Sequence, residues 1–516
     1  MRTVIAGLAV LRRAPFAVAP IAVESVVVSV LIVVGLLPAS GASAPAAAVF
    51  PLDLFFDIKQ SLAATTGWFS FVVVIVLAIV VRAGVLVTTL WLAEGRPGSV
   101  VPGLMRGIRV AALAAVSLLP SAIFLFAGTA IRYAPFIWIG ALLGFVPAFS
   151  FARAALRLDV GRGPVTGRGI PEAMGFLAYT YLVAVTGAAM SILSGVSSVA
   201  AAAIPVFIGP LHALFLLGWR QHLRNGTFPG GGLLSAAVTV IIFIVLVSAT
   251  FYDRVVREAP PVGRVANEGR LFLLGGVDST VTEGALADLD PRQVGFANEN
   301  TETLSYRAGG PHTKTDTRGD LIAAAQVVAT QLSGAPDPRL LLGHSQAGLI
   351  VDRILDRGLA TPDRSVILAA PPPFPPRLEA PAPGESGAGA PGADASRALA
   401  WLLDTAGMES FDIDAPASPI RLQPVAVIDS RVPRLAVWPL GDSVWLDRDW
   451  RRPGETNVVA ITDHVGVTNN ARALAAARSF YRGGQVPQDE SSWRGALVAV
   501  LRYAFEPWRP MSKDPY

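Results

Sequence analysis

Cysteine is absent from the 516 residues, and histidine occurs only five times. The lack of cysteine excludes disulfides and thiolate metal ligands, so that any reactive site has to use other side chains. Charged residues are also scarce, at 16% of the chain, whereas hydrophobic residues make up 52%. This balance is too apolar for an ordinary soluble protein, and it predicts that part of the chain lies in a membrane.

The charge that is present does not indicate a nucleic-acid partner. The formal net charge is only +4, and the arginines are found mainly around apolar segments. A protein that binds nucleic acid usually shows a concentrated basic patch, which is missing from the sequence. The richness in alanine, glycine, proline and arginine is typical of bacteria with GC-rich genomes.

The two halves of the chain differ sharply in hydropathy, which predicts separate domains. We expect a transmembrane helical domain over residues 1–251 and a linker over 252–267. A soluble domain follows over 268–485, with an insert at 371–430, and the chain ends in an amphipathic helix and tail at 486–516. The apolar side chains expected to share one stripe of this last helix are Trp493, Leu497, Val500, Leu501, Ala504, Phe505 and Trp508.

About seven segments of the N-terminal half are long and apolar enough to cross a bilayer, which requires roughly 20 residues. The predicted spans are 18–40, 68–93, 107–131, 134–157, 173–192, 196–219 and 233–251. We interpret the first as an uncleaved span, although the small residues after it leave a signal peptide open. Residues 46–62 are expected to lie along the outer surface as an amphipathic segment.

The distribution of basic residues predicts the orientation of these spans. With the N-terminus in the cytoplasm, the cytoplasmic loops and flanks contain Arg2, Arg12, Arg13, Arg96, Arg106, Arg153, Arg157, Arg162, Arg168, Arg220 and Arg224. The opposite loops contain only Lys59 and Arg132. The positive-inside rule therefore places the C-terminal domain outside the cell. Reading 173–219 as one span would turn that domain inward, and we favour two spans.

Three ionisable residues fall within the predicted spans. Glu24 and Arg82 either pair with each other or lie close enough to an interface to reach water. His212 either lines a pathway or packs between helices. We find no dense polar pattern in any one span of the kind that a transporter would need.

The soluble half alternates apolar strands with helices, which predicts a mostly parallel sheet covered on both faces. The predicted strands are 271–276, 339–343, 365–371, 434–440 and 457–462. Helices are predicted over 320–332, from Ala347 onward, and from 469 to 481.

A candidate nucleophile lies in "LLGHSQAGLIVDR", residues 341–353, where a predicted strand ends and a helix begins. Ser345 at such a turn stands clear of the sheet, provided that the positions two before and two after it are small. Gly343 and Ala347 meet this requirement. A serine nucleophile needs a histidine base, and the base needs a carboxylate that orients it.

The five histidines leave one candidate base. His212 and His222 belong to the membrane half, His312 precedes the serine, and we expect His344 to point away from the active face. His464 follows the last predicted strand. Asp442 follows the strand before it and is the predicted carboxylate.

Three other aspartates are weaker candidates for the carboxylate. Asp463 is adjacent to His464 and badly placed to reach its ring. Asp447 and Asp449 lie further into the loop.

The order Ser345, Asp442, His464, each just after a strand, resembles the serine α/β-hydrolases, particularly lipases and esterases with a Gly-His-Ser-Gln elbow. The stretches "LSYRAGG" and "DTRGDL" also look like bacterial members of this group, and the resemblance covers residues 268–485. The fold class is therefore an all-α polytopic membrane region followed by an α/β-hydrolase domain. The usual elbow ends in glycine, where this chain has Ala347.

The resemblance implies two backbone donors for the oxyanion. One is the amide of Gln346, directly after the nucleophile. The other lies in "GGVDST", where Val277 matches the position after the usual His-Gly pair and Gly276 is a rival. Asp278 in the same loop is interpreted as a turn former.

The insert 371–430 is not needed by the core sheet. We interpret it as a cap in which Trp401 and Leu402, with Leu403, contact an acyl chain. A surface insertion without this role is the alternative. The helix after 486 either packs on the hydrolase core or lies on the membrane.

Together these features predict an integral protein of the bacterial cytoplasmic membrane that hydrolyses a carboxylic ester outside the cell. No cofactor and no metal are expected, and the expected partners are membrane lipids and an ester of lipid or envelope origin. Acyl transfer to an envelope lipid or sugar is an alternative that uses the same triad. A membrane sensor or scaffold with a hydrolase-like domain is another, and the intact triad argues against it. Transport is a third, against which the spans argue.

Overall fold

The computed structural model describes most of the chain. The described residues are 2–34, 48–94, 101–130, 134–156, single positions between 176 and 193, 197–225, 269–335 without 288, 338–370, 384–407, 431–442, 452, 454–486 and 493–503. They form two units, one of residues 1–247 with 385–399 and the other of residues 248–384 with 400–516.

The first unit is built from helices. Their bounds are α1 Arg2–Val33, α2 Leu52–Ala64, α3 Trp68–Glu94, α4 Val101–Ala130, α5 Ala134–Leu156 and α6 Ser198–Asn225. Within the described residues, four stretches are long and apolar enough to cross a membrane: Phe16–Val33, Trp68–Ala93, Val101–Ala127 and Val199–Arg220. These helices are compatible with a membrane protein.

The described helices do not support the predicted count of seven spans. The apolar stretch of α5, Ile139–Ala155, is shorter than the other four. The predicted span 173–192 is described only at single positions, and 233–251 lies outside the described residues.

Small residues allow α1 and α6 to approach closely. A Cβ atom on Gly209 of α6 would overlap the side chain of Ser25 in α1. The Ser25 hydroxyl itself donates to the carbonyl of Ile21 at 2.7 Å. Close packing of this kind, through small side chains, is how helices associate where lipid removes the hydrophobic driving force.

Charged side chains from three helices meet in this unit. Arg82 of α3 donates from Nε and Nη2 to the carboxylate of Asp57 at 2.6 and 2.9 Å, and it also pairs with Glu24 of α1. Asp53 Oδ2 lies 3.7 Å from Arg82 Nε. Burial raises the pKa of both α2 aspartates, that of Asp57 to about 7, so that the cluster carries less negative charge than three ionised carboxylates would. Two alternatives are expected for Glu24 and Arg82, and the contact between their side chains shows that they form an ion pair.

The segment expected along the outer surface is packed inside the helical unit instead. Leu54, Ile58 and Leu62 of α2 are fully or almost fully buried, and they belong to the same apolar cluster as residues of α3 and α4. The expectation for 46–62 is wrong in this respect. The apolar face that suggested a surface helix is covered by neighbouring helices.

Residues between α5 and α6 contact both ends of α6. The ring of Phe176 stacks on Trp219 near the C-terminal end of α6, at a centroid distance of 5.5 Å. Met190 shares an apolar cluster with Ala201, near the N-terminal end of α6, and with Ile32 of α1. Ala201 and Trp219 are separated by about 27 Å along the helix axis. Phe176 and Met190 therefore lie near opposite ends of α6.

The second unit contains a six-stranded, fully parallel sheet in the order β2-β1-β3-β4-β5-β6. The strands are β1 Arg270–Leu274, β2 Thr301–Thr303, β3 Arg339–His344, β4 Arg364–Leu368, β5 Arg434–Pro439 and β6 Thr456–Ala460. The helices after β1 in the chain are α7 Pro291–Val294, α8 Leu321–Ser333, α9 Gln346–Asp356, α10 Ala390–Thr405, α11 Ala471–Tyr481 and α12 Trp493–Tyr503, of which α10 is divided between the two units. Because all strands are parallel, their carboxyl ends meet at one edge of the sheet.

A buried ion network holds α9 against the sheet. Asp352 of α9 is fully buried and accepts hydrogen bonds from Arg452 Nη1 at 2.8 Å to both carboxylate oxygens. Arg434, the first residue of β5, contacts the same carboxylate and pairs with Glu455 at 3.1 Å. The helix that starts directly after Ser345 is thereby held to the ends of β5 and β6.

The insert helix α10 belongs partly to each unit. Its N-terminal part is joined to the helical unit, where Gly389 N donates to Thr65 O at 2.9 Å and Trp68 Nε1 donates to Asp394 Oδ2 at 3.0 Å. Most of the predicted insert, 371–383 and 408–430, lies outside the described residues.

The final helix α12 has a different buried face from the predicted stripe. Ala496 and Ala499 are fully buried, whereas Leu497 is 58% exposed. Leu497 therefore does not lie on the packed face, and the side chains from Leu501 onward are outside the described set.

Candidate active site

Ser345 lies at the junction of β3 and α9, at the carboxyl edge of the sheet. Its backbone has φ of 56° and ψ of −126°, a left-handed φ that is uncommon for a residue other than glycine. Such a conformation costs on the order of 1–3 kcal/mol and persists only where the surroundings hold it. One such contact is the hydrogen bond from Ser345 N to Leu368 O in β4, at 2.9 Å.

The small residues around Ser345 are required by the close passage of strand and helix. A Cβ atom on Gly343 would lie 3.2 Å from the carbonyl carbon of Ala347 and 3.0 Å from Val351 Cγ2. A Cβ atom on Gly348 would overlap Ala370. Ala347 fits at the position of the usual elbow glycine although it is fully buried. The residue that has to be glycine in this chain is Gly348, one position later.

His464 and Asp442 complete a hydrogen-bonded chain with Ser345. His464 Nε2 is 2.9 Å from Ser345 Oγ, and His464 Nδ1 is 2.8 Å from Asp442 Oδ2. All three residues are buried. Because a carboxylate only accepts, Nδ1 carries the proton of the neutral ring and Nε2 accepts from the serine hydroxyl. Each residue follows a strand, β3, β5 or β6, so the parallel sheet brings them to one edge.

The other aspartates weighed for the carboxylate do not take this place. Asp463 accepts a hydrogen bond from Gly466 N, which turns its side chain to the loop after His464. Asp447 and Asp449 lie outside the described residues.

His344 is a site residue that the sequence reasoning set aside. Its Nε2 lies 2.9 Å from the backbone carbonyl oxygen of His464, and the two rings are 5.1 Å apart. Since a carbonyl only accepts, His344 Nε2 carries a proton and donates it. The residue before the nucleophile thus fixes the backbone of the loop that presents the base, and only the folded arrangement of β3 and β6 reveals this contact.

The loop after β1 lies beside the nucleophile. A Cβ atom on Gly276 would lie 2.9 Å from Ser345 Cβ and 3.4 Å from Ser345 Oγ, so only glycine fits there. Val277 follows and is half-buried. Gln346 is the first residue of α9, and an amide at this position has no partner within its own helix. The backbone amides of Gln346, Val277 and Gly276 all stay candidates for the oxyanion donors.

Asp278 is held in a turn, in agreement with its interpretation as a turn former. Its φ is 60°, and its carboxylate accepts from Arg318 Nε at 2.6 Å. Its backbone N–H donates to Thr317 Oγ1 at 2.9 Å. Gln346 Nε2 donates to Thr317 O at 2.5 Å, so Thr317 joins the loop after β1 to the start of α9.

The predicted acyl-contact residues are exposed on α10. Trp401 is 65% exposed and Leu402 is 51% exposed, whereas Leu403 is buried. Their role in contacting an acyl chain stays a prediction. Among the residues that the structure describes, no group of three or more His, Asp or Glu side chains is arranged to hold a metal ion.

No protein-family model matches this sequence, and no curated protein matches it. Among solved structures, the chain is similar to two crystal structures of the pyrethroid hydrolase PytH, one of a serine-to-alanine variant and the other with BIF. These are 17% and 18% identical to this chain, cover 42% of it and 97% and 96% of PytH, and have TM-scores of 0.27 and 0.26. A histidine-to-alanine variant of PytH is 15% identical, with 42% and 96% coverage and a TM-score of 0.27. Similarity at this level supports no argument about the site, whose chemistry rests on its own geometry.

Proposed function

We propose that this protein is a membrane-anchored serine hydrolase that cleaves a carboxylic ester through Ser345, His464 and Asp442. The observation that carries the proposal is the chain of hydrogen bonds from Ser345 Oγ to His464 Nε2 at 2.9 Å and from His464 Nδ1 to Asp442 Oδ2 at 2.8 Å. The left-handed backbone of Ser345 at a strand-to-helix turn supports the same role, since such strain is characteristic of a nucleophile elbow. An ester is preferred because the elbow sequence resembles that of lipases and esterases.

The reaction follows from this geometry. Ser345 Oγ attacks the ester carbonyl carbon while its proton passes to His464 Nε2, and the carbonyl oxygen becomes an oxyanion. Backbone amides of Gln346 and of Val277 or Gly276 would stabilise that charge, each worth on the order of 10²–10³ in rate. The C–O bond to the alcohol then breaks, and His464 returns the proton to the leaving oxygen.

The acyl-enzyme is cleared by the same groups. His464 takes a proton from water as the water oxygen attacks the acyl carbon, and it returns this proton to Ser345 Oγ when the acid leaves. Asp442 stays ionised throughout, holds the Nδ1–H tautomer and stabilises the imidazolium.

A fluorophosphonate probe tests the nucleophile directly. The full-length protein in detergent should be labelled at Ser345 and should hydrolyse p-nitrophenyl butyrate. Ser345→Ala should abolish labelling, and Ser345→Ala or His464→Ala should lower kcat by on the order of 10⁴-fold or more. Ser333→Ala in α8, whose hydroxyl bonds only within its own helix, is the matched control. Labelling that persists in Ser345→Ala would refute the assignment.

Acyl transfer is distinguished by the product. If an alcohol replaces water at the acyl-enzyme, the acyl group is recovered as a new ester instead of a free acid. Mass spectrometry of the products formed with glycerol present separates these outcomes. Exposing the wild-type protein to membrane lipids, followed by acid quenching and mass spectrometry of the Ser345 peptide, would identify the acyl group carried by the serine.

We also propose seven spans, with the N-terminus in the cytoplasm and the hydrolase domain outside. The arginine distribution supports this orientation. A second support comes from the helical unit, where Arg220 Nη1 donates to Leu90 O at 3.2 Å, so that the C-terminal ends of α3 and α6 lie side by side. Two spanning helices whose C-terminal ends lie at the same side of the membrane run in the same direction. An odd number of spans must then lie between them in the chain. Phe176 and Met190 contact opposite ends of α6, which supports the proposal that 173–192 is the third such span after α4 and α5.

Reporter fusions test the topology. A reporter active only outside the cytoplasm should be active when fused after residue 260 and inactive when fused after residue 226. Activity of a cytoplasm-specific reporter at the C-terminal position would overturn the orientation. Activity of the same kind at both positions would overturn the last span.

A further inference from the structure

His312 is buried within an otherwise exposed stretch of the loop between β2 and α8. Residues 307–311 and 313 are exposed, whereas His312 is 3% exposed and its ring packs on Tyr306 at a centroid distance of 4.9 Å. Neither of its ring nitrogens has a hydrogen-bond partner among the described residues. A buried polar group without a partner costs about 1–3 kcal/mol, so its presence requires an explanation.

The loop that holds His312 lies at the catalytic edge of the sheet. It follows the carboxyl end of β2, and the carboxyl ends of the parallel strands also carry Ser345, Asp442 and His464. A ligand of a parallel sheet binds at this edge because the loops there surround an open crevice.

Two hydrogen bonds attach this loop to the strand end beside the nucleophile, one on each side of His312. Tyr306 Oη donates to Gly275 O at 2.5 Å, and Asp278 N donates to Thr317 Oγ1 at 2.9 Å. Gly276, between the two attachment points, is packed against Ser345. These bonds hold the loop that carries His312 beside the strand end next to the nucleophile, on the β2 side.

The state of the ring indicates which ligand it suits. Burial lowers the pKa of His312, although the nearby Asp316 acts in the opposite direction. A neutral imidazole offers one N–H donor and one nitrogen acceptor. A hydroxyl group offers the complementary pair, whereas a carboxylate or phosphate would leave the imidazole acceptor facing an anion.

We propose that His312 is a substrate-binding residue that recognises a hydroxyl group near the scissile bond of the ester. This inference rests on the proposed hydrolase function and narrows its substrate class to hydroxylated esters. One of the two unpartnered ring nitrogens bonds the substrate hydroxyl, which donates to it or accepts from it according to the tautomer. A site built to bond a hydroxyl discriminates strongly against an analogue that lacks it.

Three esters and two variants of the full-length protein test this proposal. p-Nitrophenyl butyrate carries no hydroxyl, p-nitrophenyl 3-hydroxybutyrate carries one on the acyl side, and glycerol monobutyrate carries hydroxyls on the alcohol side. His312→Phe keeps a ring against Tyr306 and removes both polar atoms, whereas His312→Gln keeps a donor and an acceptor. Fluorophosphonate labelling of Ser345 confirms that each variant is folded at the site.

His312→Phe should lower kcat/KM for a hydroxylated ester by about tenfold or more, and it should leave p-nitrophenyl butyrate within about twofold. His312→Gln should keep part of the preference. The ester that loses rate identifies which side of the scissile bond His312 contacts.

Three results would overturn the inference. They are an equal loss on all three esters, no loss on any, and a labelled wild-type protein that hydrolyses neither hydroxylated ester. Failure of the proposed function is recognised separately, because wild-type Ser345 would then not be labelled at all.

Discussion

His344 lies directly before the nucleophile, yet its ring contacts the loop that carries the base. The hydrogen bond from His344 Nε2 to the carbonyl oxygen of His464 is buried and 2.9 Å long. We expect His344→Ala to lower kcat by about tenfold, because losing one buried hydrogen bond costs about 1–3 kcal/mol and allows His464 to shift. KM should change little, since His344 does not line the substrate site in this interpretation.

The conservative variant distinguishes positioning from packing. His344→Gln supplies an amide donor to the same carbonyl and should recover part of kcat, whereas His344→Leu fills the space without a donor and should not. Equal activity of the Gln and Leu variants would contradict a positioning role.

For single residues, the sequence predicts the catalytic side chains that can be recognised by their order along the chain. It misses residues whose role depends on a contact that only the folded protein makes. Ser345, Asp442 and His464 each follow an apolar strand, and a chain with five histidines leaves few choices for the base. His344 is set aside because a residue adjacent to the serine is expected to point away from the active face, and His312 because it precedes the serine. Their contacts, with the His464 carbonyl and with Tyr306, depend on loops that the sequence pattern does not place.

At the scale of elements, the turn between β3 and α9 depends on two small residues with different tolerances. Ala347 is fully buried but fits, whereas any Cβ on Gly348 would overlap Ala370. Gly348→Ala should therefore lower the free energy of unfolding by about 1–3 kcal/mol and reduce kcat/KM, because the start of α9 has to move. Thermal unfolding of the full-length protein in detergent, with ester hydrolysis, measures both effects.

Two further variants define the cause of that loss. Ala347→Gly should cost at most about 1 kcal/mol, the usual penalty of glycine in a helix. The double variant Gly348→Ala with Ala370→Gly removes the overlapping methyl and should recover most of the activity. A double variant no better than Gly348→Ala would show that the overlap is not the cause.

The predicted elements agree with the structure where the apolar pattern is strong. The bounds of β1, β3, β4, β5 and β6 lie within three residues of those of the predicted strands, because strands covered on both faces need apolar side chains throughout. The edge strand β2, "TET", was missed since it is three residues long and polar. The apolar face of α2 was correctly noticed but wrongly assigned to a surface, because an amphipathic pattern does not say what covers it.

At the scale of the whole molecule, the sequence underestimates the polarity of the helical unit. Each predicted span contains few charges, and this sparseness was used to argue against transport. Folding brings Glu24, Asp57 and Arg82 from three separate helices into contact, with Asp53 beside them. Counting charges span by span cannot reveal a cluster to which each helix contributes only one or two residues.

Arg82 is the only guanidinium among the side chains of that cluster, so its removal tests what holds α1, α2 and α3 together. Arg82→Leu would leave three carboxylates close to one another in an apolar surrounding. Breaking a buried ion pair by removing one partner typically costs about 3–5 kcal/mol. We therefore expect a clear decrease in the thermal unfolding midpoint of the full-length protein in detergent.

Two further variants separate the stabilising effect of the charge cluster from any general effect of losing an arginine. Arg106→Leu on α4 removes an exposed arginine and should leave the unfolding midpoint nearly unchanged. Arg82→Leu combined with Asp57→Asn also removes the charge of the carboxylate that accepts two hydrogen bonds from Arg82, and it should recover part of the loss because less negative charge stays uncompensated. If Arg82→Leu unfolds at the temperature of Arg106→Leu, the cluster does not stabilise the helical unit. If the double variant unfolds no later than Arg82→Leu alone, uncompensated carboxylate charge is not the reason for the loss.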